Sequence, residues 1–379
     1  MKFILIVAGE NSGEKYGADL IQAYQEIDPQ TSFFGLGGPE MAARGADILY
    51  SINELNIVGL GEAVRRYPRI RRMIISLKEE AKKRKARAAV LIDSPDFNLR
   101  LARYLHREGI PILYYISPTV WAWRPGRLKT IRRFINKMLL IFPFEIEIYE
   151  KAGLPATYVG HPLLSRLKVN LDRAQFRQKY NLPLDIPLIT LLPGSRPSEV
   201  TRHSPILSKS IDLIRNEITV NFLIIQAKTI ERSQIEKFFD RHDNLLIINE
   251  DMDKYEAMAA SDLLLAACGT ANMEACLLEV PFIAFYRISP IIYLFGRKLV
   301  RIKNYSIVNI IAGKRFVPEL IQQQFTPKKL AQEALSLLFA QDKREAMKQE
   351  FRRIKELLGE QKASVQAALE LKQLIENYP

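Results

Sequence analysis

Short runs of apolar residues alternate along the chain with segments that repeat apolar side chains at helical spacing. Each run in the first half ends in small or polar residues, and five runs predict strands: residues 3–8, 32–36, 88–92, 112–116 and 138–142. Between the first two runs, Tyr16, Leu20, Ile21 and Tyr24 fall on one helix face. Such alternation is typical of a parallel α/β domain.

Between the halves a short strand is predicted near residues 157–159, and the second half of the chain then begins the same pattern again. Its predicted strands are residues 188–192, 220–225, 245–248, 263–267 and 282–286. We therefore predict an α/β fold with two doubly wound Rossmann-like domains, at residues 1–165 and 166–344, that face each other across a cleft. The helical residues from about 345–379 either cross back to complete the first domain or pair with another chain in a homodimer. Ligands of such sheets bind beyond the carboxyl ends of the strands, so the loops there are the candidate sites.

The composition is that of a globular protein, with one unusual feature in its charge. Apolar residues make up 48% and charged residues 26% of the 379 residues, while 55 Lys and Arg against 42 Asp and Glu give a net charge of +13. Residues 65–87 hold eleven basic and two acidic side chains, and residues 124–137 hold six basic and no acidic ones. These two segments indicate an anionic partner, which is nucleic acid, a phospholipid surface or a phosphorylated substrate.

Cysteine usage and hydropathy favour a cytoplasmic protein. Cys268 and Cys276 are too few for a disulfide framework. The six apolar residues at the N-terminus are too few for a signal peptide, and no run approaches the ~18 to 20 apolar residues that cross a bilayer. We expect a protein that touches a membrane without spanning it.

Two loops of the first half present carboxylates. The loop of residues 9–14 has neither a Gly-x-Gly-x-x-Gly fingerprint nor the Gly-Lys-Ser/Thr of a P-loop. The carboxylate of Glu10 suits sugar hydroxyls better than phosphate, and the alternative is a plain helix start capped by Ser12. Asp93 follows a buried strand directly, where a general base is useful, whereas Asp96 precedes a helical run and is interpreted as an N-cap.

A third loop holds both tryptophans of the chain. Trp121 and Trp123 follow the strand at 112–116, and Arg124 opens the second basic segment. Aromatic rings beside an arginine stack on sugars, receive acyl chains or bind nucleobases. The alternative is a packing plug between the domains.

Two loops of the second half suit a nucleoside diphosphate. After residues 188–192, Gly194, Ser195 and Arg196 combine a small-residue turn with a fixed positive charge at a helix start, so we expect exposed backbone N–H groups there. After residues 263–267, Gly269 and Thr270 begin another helix, with Thr270 as the predicted N-cap. Glu274 is then expected in the first turn, where it binds ribose hydroxyls.

The signals for a metal are weak. The four histidines are scattered, and only Asp251 and Asp253 have the Asp-x-Asp form of metal-dependent sugar transferases. Asp253 precedes Tyr255 and Met258 at helical spacing, so capping is the preferred interpretation. We expect no metal and no other cofactor.

These blocks, in this order, resemble the lipid-A-disaccharide synthase family. The resemblance covers nearly the whole chain and rests on residues 8–13, 92–98, 117–124, 192–196, 269–274, 309–313 and 317–320. The most specific block is the loop that contains Trp121, Trp123 and Arg124, which are expected on the acceptor or acyl-chain side. Two positions depart from the family pattern: Glu14, where Asp is usual, and Cys268, where a small hydroxyl residue is common.

The resemblance implies an inverting, metal-independent glycosyltransferase of the GT-B type at the cytoplasmic face of the inner membrane. It would join UDP-2,3-diacylglucosamine to 2,3-diacylglucosamine 1-phosphate (lipid X) through a β-1,6 linkage and release UDP. Matching positions imply that Asp93 is the general base, with Glu10 and Ser12 near the acceptor. Arg196, Glu274 and Asn309 would belong to the catalytic and UDP-binding set.

Three other interpretations are weighed against this one. Another GT-B UDP-N-acetylglucosamine transferase would share the loops of the second domain and lack those of the first. A nucleic-acid-binding protein would explain the charge, but the chain has no recognisable RNA- or DNA-binding module. A purely structural membrane-surface protein leaves the loops unexplained.

Residues 52–75, which include the start of the first basic segment, mix apolar and cationic side chains, which predicts an amphipathic surface on anionic lipid. The alternative is an ordinary solvated helix face. The predicted membrane-facing residues are Ile57, Val58, Leu60, Val64, Arg65, Arg66, Tyr67, Arg69, Ile70, Arg71 and Arg72, and Met73 and Ile74 continue the apolar series.

Overall fold

The chain forms two compact units. The computed structural model describes residues 2–55, 60–121, 126–243, 245–290, 293 and 303–378, and the side chains of residues 60–66 fall outside this description. The first unit comprises residues 1–165 and 358–379, and the second comprises residues 166–357. The expected return to the first unit at about residue 345 therefore comes later. Phe351, which stacks on Phe282 with ring centroids 5.7 Å apart, is buried in the second unit.

Each unit is built on a sheet in which all strands run parallel. The strands of the first unit are β1 (Lys2–Ala8), β2 (Thr31–Gly37), β3 (Asp47–Ser51), β4 (Ala88–Ile92), β5 (Ile112–Tyr115), β6 (Lys137–Leu140) and β7 (Ala156–Tyr158). Those of the second are β8 (Leu188–Leu192), β9 (Asn221–Gln226), β10 (Leu245–Asn249), β11 (Leu263–Ala267), β12 (Phe282–Tyr286) and β13 (Glu319–Ile321). The strand orders are β3-β2-β1-β4-β5-β6-β7 and β10-β9-β8-β11-β12-β13.

Helices connect the strands. In chain order they are α1 (Asn11–Ile27), α2 (Pro39–Ala43), α3 (Leu60–Lys83), α4 (Pro95–Arg107), α5 (Arg127–Phe134), α6 (Ile146–Lys151), α7 (Leu163–Arg166), α8 (Arg173–Lys179), α9 (Pro197–Arg215), α10 (Arg232–Phe239), α11 (Lys254–Ala259), α12 (Thr270–Leu277), α13 (Ile307–Ile311), α14 (Pro327–Phe339), α15 (Gln341–Leu358) and α16 (Ala363–Asn377). The helix face predicted in α1 is buried, and Pro39 occupies the first position of α2.

The sheet of the first unit is covered on both faces. Alternate residues of a strand point to opposite faces, and β1 sends Leu5 and Val7 to one apolar cluster and Ile4 and Ile6 to another. The first cluster lies under α3, α4 and α5, and the second lies under α1 and α16. The continuous apolar runs in the sequence follow from this burial on both faces.

Two strands were not predicted from the sequence. Strand β3 lies at the sheet edge, where Asp47 is exposed and the next four residues are only half-buried, so it has no apolar run. Strand β13 has three residues, which is too short for a periodic signal.

The order of strands reverses once in each sheet. The chain moves outward from β1 to β3 and then crosses to β4, so the reversal in the first unit lies between β1 and β4. In the second unit it lies between β8 and β11. Loops that leave the carboxyl ends of neighbouring strands at such a point diverge and form a crevice. The loops that follow these four strands are among those that the sequence singles out.

Candidate functional sites beyond the carboxyl ends of the strands

The loops after β1 and β4 pack directly on each other. A Cβ atom added to Gly9 would lie 2.3 Å from Oγ and 2.4 Å from Cβ of Ser94, so only glycine fits this contact. Glu10 occupies the N-cap position of α1 and is exposed, with no side-chain capping bond among the described residues. Ser12 is the second residue of the helix, so the interpretation of Ser12 as the cap is wrong.

Asp93 has an unusual backbone that its neighbours hold in place. Asp93 and Ser94 have φ of 49° and 43°, the left-handed region that non-glycine residues adopt at a cost of about 1 to 3 kcal/mol. The Asp93 carbonyl accepts hydrogen bonds from the Tyr114 hydroxyl at 2.5 Å and from Nδ2 of Asn98 at 2.8 Å. Asn98 also donates to the Ile92 carbonyl at 3.0 Å. The backbone that carries the Asp93 carboxylate is therefore fixed at the end of β4.

Burial keeps the hydroxyl of Tyr114 protonated. Tyr114 and Asn98 are fully buried. Desolvation, and next the charge of Asp93, raise the pKa of Tyr114 well above its usual value. Tyr114 consequently stays protonated and remains a donor to the Asp93 carbonyl.

Asp96 does not cap α4. The N-cap position belongs to Ser94, and Asp96 lies in the first turn, where it pairs with Nη2 of Arg127 at 2.5 Å. The left-handed backbone at Asp93 and Ser94 starts the helix before Asp96, which explains why the cap prediction is wrong. Asp96 is instead tied to α5 through its ion pair with Arg127.

Trp121 is the part of the tryptophan loop that the structure describes. Its indole Nε1 donates to Oε1 of Glu145 at 3.1 Å. Trp123 and Arg124 lie outside the described residues. Trp121 follows β5 and Glu145 follows β6, so both lie at the sheet edge where Asp93 follows β4.

In the second unit, the loop after β8 is closed around a carboxylate. The buried Glu199 accepts the backbone N–H of Ser195 at 3.1 Å and that of Arg196 at 3.3 Å through Oε2. Gly194 has φ of +127°, and a Cβ there would lie 2.6 Å from the same oxygen. The expectation that these amides are exposed to a ligand is therefore wrong in this conformation, because Glu199 occupies them.

Positive charge remains accessible beside this loop. The Arg196 side chain is 64% exposed and its Nη1 lies 3.5 Å from Oε1 of Glu199. Tyr286 donates its hydroxyl to the same Oε1 at 2.9 Å. The buried His203 bonds the Pro193 carbonyl through Nδ1 at 2.7 Å, which fixes the start of the loop.

The loop after β11 begins α12 one residue earlier than predicted. Gly269 holds the N-cap position and Thr270 is the first helical residue, so Thr270 is not the cap. Both residues are exposed at the start of the helix. Exposed N–H groups at a helix start are suited to an anion.

Glu274 lies in the second turn of α12 rather than in the first. It is the fifth residue of α12, is 4% exposed, and has both carboxylate oxygens 2.8 Å from Nζ of Lys254. The Tyr255 hydroxyl also donates to Oε1 at 3.3 Å. The placement of Glu274 in the first turn is therefore wrong, because the helix starts at Thr270, and Lys254 neutralises its buried charge.

Asn309 has a different role from the one that its motif suggests. Its Nδ2 donates to the Val317 carbonyl and to Oε1 of Glu319, at 2.9 and 2.8 Å. Its Oδ1 accepts the N–H groups of Phe316 and Val317, both at 3.0 Å. Because the amide of Asn309 is fully used, the structure makes it a positioning residue for the segment before β13.

The carboxylates weighed as metal ligands have other partners. Asp253 does occupy the N-cap position of α11, and its carboxylate accepts bonds from Lys179 and from the Tyr180 hydroxyl. Asp251 pairs with Lys228 at 2.6 Å. Within the described ranges, no three His, Cys, Asp or Glu residues are grouped so that they could hold a metal ion.

The two positions that depart from the family pattern differ in exposure, since Glu14 is buried and Cys268 is half-buried. Glu14 is buried and accepts the N–H of Glu40 at 2.8 Å, at the start of α2. Its carboxylate leaves no room for a Cβ on Gly38, which would lie 2.3 Å away. Burial raises the pKa of the Cys268 thiol, which keeps it in the neutral form.

The predicted membrane-facing segment is only partly exposed. Tyr67, Arg69, Arg71 and Arg72 are exposed on α3. Met73 and Ile74 are buried in the core, and Ile70 is half-buried against it. The remaining predicted residues lie outside the description: Ile57, Val58 and the side chains of Leu60, Val64, Arg65 and Arg66. No helix among the described residues has the length and apolar content that crossing a bilayer requires.

Several supporting residues could not be found by sequence reasoning. Tyr114 and Lys254 lie 21 and 20 residues from the groups that they contact, so only the fold brings each pair together. The role of Glu199 could have been predicted from the sequence, because a carboxylate three residues after the N-cap is typical of a capping box.

Comparison with known proteins gives one consistent result at the level of sequence. A family model described as lipid-A-disaccharide synthetase matches residues 4–373. A lipid-A-disaccharide synthase from Solibacter usitatus is 41% identical over 377 residues, covering 99% of this chain and 98% of the relative. The enzyme of the same name from Myxococcus xanthus is 38% identical over 373 residues, covering 98% and 97%.

Solved structures share the fold at much lower identity. The UDP-GlcNAc 2-epimerase of Neisseria meningitidis, solved with UDP-GlcNAc, has a TM-score of 0.68 at 13% identity, with 100% of both chains covered. MurG of Acinetobacter baumannii has a TM-score of 0.54 at 18% identity, again with complete coverage. The calicheamicin glycosyltransferase CalG4 has a TM-score of 0.63 at 11% identity, covering 99% of this chain and 98% of that structure. Two parallel-sheet α/β units of this kind are shared with glycosyltransferases.

Proposed function

The chain belongs to the lipid-A-disaccharide synthase family, and from this premise we propose how its two units divide the reaction. The protein is a glycosyltransferase that forms the lipid A disaccharide. The proposed donor is UDP-2,3-diacylglucosamine, the proposed acceptor is 2,3-diacylglucosamine 1-phosphate, and the products are the β-1,6-linked disaccharide phosphate and UDP. One observation supports this division of the reaction. The loops after β1 and β4 flank the strand-order reversal of the first sheet, and those after β8 and β11 flank that of the second.

The first unit supplies the base. The carboxylate of Asp93 takes the proton of the acceptor 6-hydroxyl while the hydroxyl oxygen forms a bond to the anomeric carbon of the donor. The bond from that carbon to UDP breaks on the opposite face, its electron pair leaves with UDP, and the configuration inverts. The strained backbone of Asp93, whose carbonyl accepts two hydrogen bonds, supports this role, because a base contributes most when its position is fixed. Glu10 and Ser12, at the neighbouring helix start, are placed toward the acceptor.

The second unit binds the donor. The accessible Arg196 guanidinium and the helix start at Gly269 and Thr270 stabilise the negative charge of the departing diphosphate. Glu274, held by Lys254, is the proposed partner of the ribose hydroxyls. For the amides of Ser195 and Arg196 to bind phosphate, the carboxylate of Glu199 has to release them. A UDP-sugar as donor is also consistent with the UDP-GlcNAc bound to a structural neighbour.

The substitution Asp93→Asn tests the base. We expect turnover to fall by about 10²-fold or more while the affinity for the UDP-sugar stays unchanged, because only proton transfer is removed. Asp96→Asn is a matched control, three residues away and paired with Arg127. Near-normal turnover of Asp93→Asn, or an equal loss in Asp96→Asn, would remove Asp93 from the mechanism.

We further propose that the enzyme needs no metal and binds to the cytoplasmic face of the inner membrane as a peripheral protein. The exposed residues Tyr67, Arg69, Arg71 and Arg72 of α3 form a basic surface with an aromatic ring. Cationic side chains near an anionic bilayer contribute about 1 kcal/mol each. Arg69 is paired with Glu54, and further along α3 Lys82 and Lys83 are paired with Glu108 and Glu80, whereas Arg71 and Arg72 have no ion pair among the described residues. The beginning of the helix is therefore the proposed lipid-binding part.

Sedimentation with liposomes tests this surface. Arg71→Ser with Arg72→Ser should weaken binding to vesicles that contain anionic lipid by roughly tenfold or more, since about 2 kcal/mol is lost. Lys82→Ser with Lys83→Ser makes the same change in net charge and should have much less effect. Equal binding to neutral and anionic vesicles, or equal loss in both variants, would contradict the proposal.

A further inference from the structure

A buried carboxylate lies under the tryptophan loop without an assigned role. Glu145 ends a short 3-10 turn, Pro143–Glu145, that follows β6. Trp121 lies in the loop that follows β5, the neighbouring strand. Both residues lie at the edge of the sheet where Asp93 follows β4, one strand further along.

The two polar ends of this pair meet in the protein interior. Glu145 is 1% exposed, and its Oε1 accepts the indole N–H of Trp121 at 3.1 Å. The second oxygen, Oε2, is buried with no hydrogen-bond partner among the described residues. A buried unpaired oxygen costs about 1 to 3 kcal/mol, so glutamate is a poor choice for stability alone.

Aromatic rings hold the indole from the side. Phe144 meets Trp121 edge to face with ring centroids 5.3 Å apart, and Phe142 stacks on Phe144 at 5.7 Å. The indole has a single hydrogen-bond donor, Nε1. One bond to that donor together with one ring contact fixes both the position and the rotation of Trp121.

Few other titratable groups face the carboxylate. The Tyr149 hydroxyl, from α6, bonds Oγ of Ser117 at 2.7 Å, and Ser117 begins the tryptophan loop. His161 packs on Phe142 with ring centroids 5.3 Å apart, and burial lowers its pKa to about 3, so it stays neutral. Burial raises the pKa of Glu145 to about 7, against the smaller opposing effects of Ser117 and Trp121.

We propose that Glu145 is a positioning residue of the transfer reaction, which orients the Trp121 indole so that the acceptor sugar binds against it. This inference rests on the proposed acceptor role of the loop after β5. Glu145 itself does not touch the acceptor, because its carboxylate is buried beneath the loop. Glu145 affects the reaction only by holding Trp121 in its orientation.

Kinetics of Glu145→Gln and Trp121→Phe test the coupling. Glutamine keeps the shape and an acceptor oxygen but carries no charge, and phenylalanine keeps a ring but has no N–H. Glu145→Gln should raise the KM for the acceptor about tenfold and leave the KM for the donor within about twofold. In a Trp121→Phe background, Glu145→Gln should add no further increase in the acceptor KM. Glu147→Gln, at an exposed residue paired with Lys151, is the control and should change neither constant.

Fluorescence gives a second readout that needs no activity. The chain has two tryptophans, so Trp123→Phe leaves Trp121 as the only one. In that background Glu145→Gln should shift the emission maximum of Trp121 and increase its quenching by acrylamide, and Glu147→Gln should do neither. Unchanged emission would overturn the proposal, because Glu145 would not hold the indole. A shifted emission with an unchanged acceptor KM would overturn it as well, because the indole would not serve the acceptor.

The two readouts also separate this inference from the proposed function. A wild-type protein that makes no disaccharide would refute the proposed function, and with it the link to the acceptor. If Glu145→Gln does not fold, the Trp121→Phe variant still decides the matter: a normal acceptor KM in that variant overturns the proposal.

Discussion

Replacement of Gly9 by alanine tests the contact between the loops after β1 and β4, on which the proposed site of the first unit depends. The added Cβ would lie 2.4 Å from Cβ of Ser94, whereas ordinary contacts begin at 3.4 Å. Ser94 must therefore move by about 1 Å, and Asp93, its neighbour in the chain, moves with it.

The expected size of the effect follows from this displacement. Overpacking of a close contact costs about 1 to 3 kcal/mol of stability. A shift of about 1 Å in a catalytic group lowers turnover by roughly 10²-fold. Gly9→Ala should therefore lose stability and turnover together, while Gly126→Ala, whose Cβ would meet no described atom within 4 Å, should change both very little.

A second substitution identifies the cause. Ser94→Gly removes both clashing atoms, and glycine adopts the left-handed backbone of this position at low cost. The double variant should recover most of the lost stability, with a coupling energy of at least about 1 kcal/mol in urea unfolding. Stability and turnover should be measured on all three proteins. If Gly9→Ala is as damaging with glycine at residue 94 as with serine, the two loops do not pack as described.

Three further outcomes are expected. Asn309→Ala removes four hydrogen bonds before β13 and should lower the free energy of unfolding in urea by roughly 3 kcal/mol or more. The control Asn216→Ala, at an exposed residue, should lower it by less than about 0.5 kcal/mol. Equal losses in the two variants would contradict the positioning role of Asn309. Burial raises the pKa of Glu145 from 4.5 to about 7, so the folded state holds its proton more tightly and stability falls by about 1.4 kcal/mol per pH unit as the pH rises between these values. Glu145→Gln should therefore gain stability relative to wild type across that window, and a constant difference between the two proteins would refute this. Excess EDTA should leave turnover within about twofold, and inhibition that Mg²⁺ reverses would revive Asp251 and Asp253 as ligands.

The strands and the order of the site loops could be predicted from the sequence because burial on both faces makes continuous apolar runs. Strands β4, β8, β11 and β12 have the predicted bounds for this reason. Edge strand β3 has no such run, since only one side of it meets the sheet. The periodic signal therefore reports burial, and it weakens where burial is partial.

Apart from the cap at Asp253, the helix caps and the support of the site could not be predicted in the same way. Ser12, Asp96 and Thr270 were each interpreted as a cap from residue type, but each helix starts one or two residues earlier. At Asp96 the cause is the left-handed turn at Asp93, which no local preference for serine or aspartate reveals. Contacts such as the one from Tyr114 to Asp93 depend on the register of two strands.

The structure changes the interpretation of the first basic segment. The first basic segment has an excess of positive residues, yet Lys78, Lys82 and Arg84 are paired with acidic side chains of the same unit. Near the start of α3, Arg69 is paired with Glu54 as well, and the described side chains of Arg71 and Arg72 are exposed.

One assay tests the central claim most directly. Purified protein is supplied with UDP-2,3-diacylglucosamine and 2,3-diacylglucosamine 1-phosphate, and both UDP and the disaccharide are quantified over time, with unacylated UDP-N-acetylglucosamine as the competing donor. We expect UDP and the disaccharide to appear in equal amounts, only when both acylated substrates are present. Release of UDP without the disaccharide, or preferential transfer from the unacylated donor, would contradict the claim.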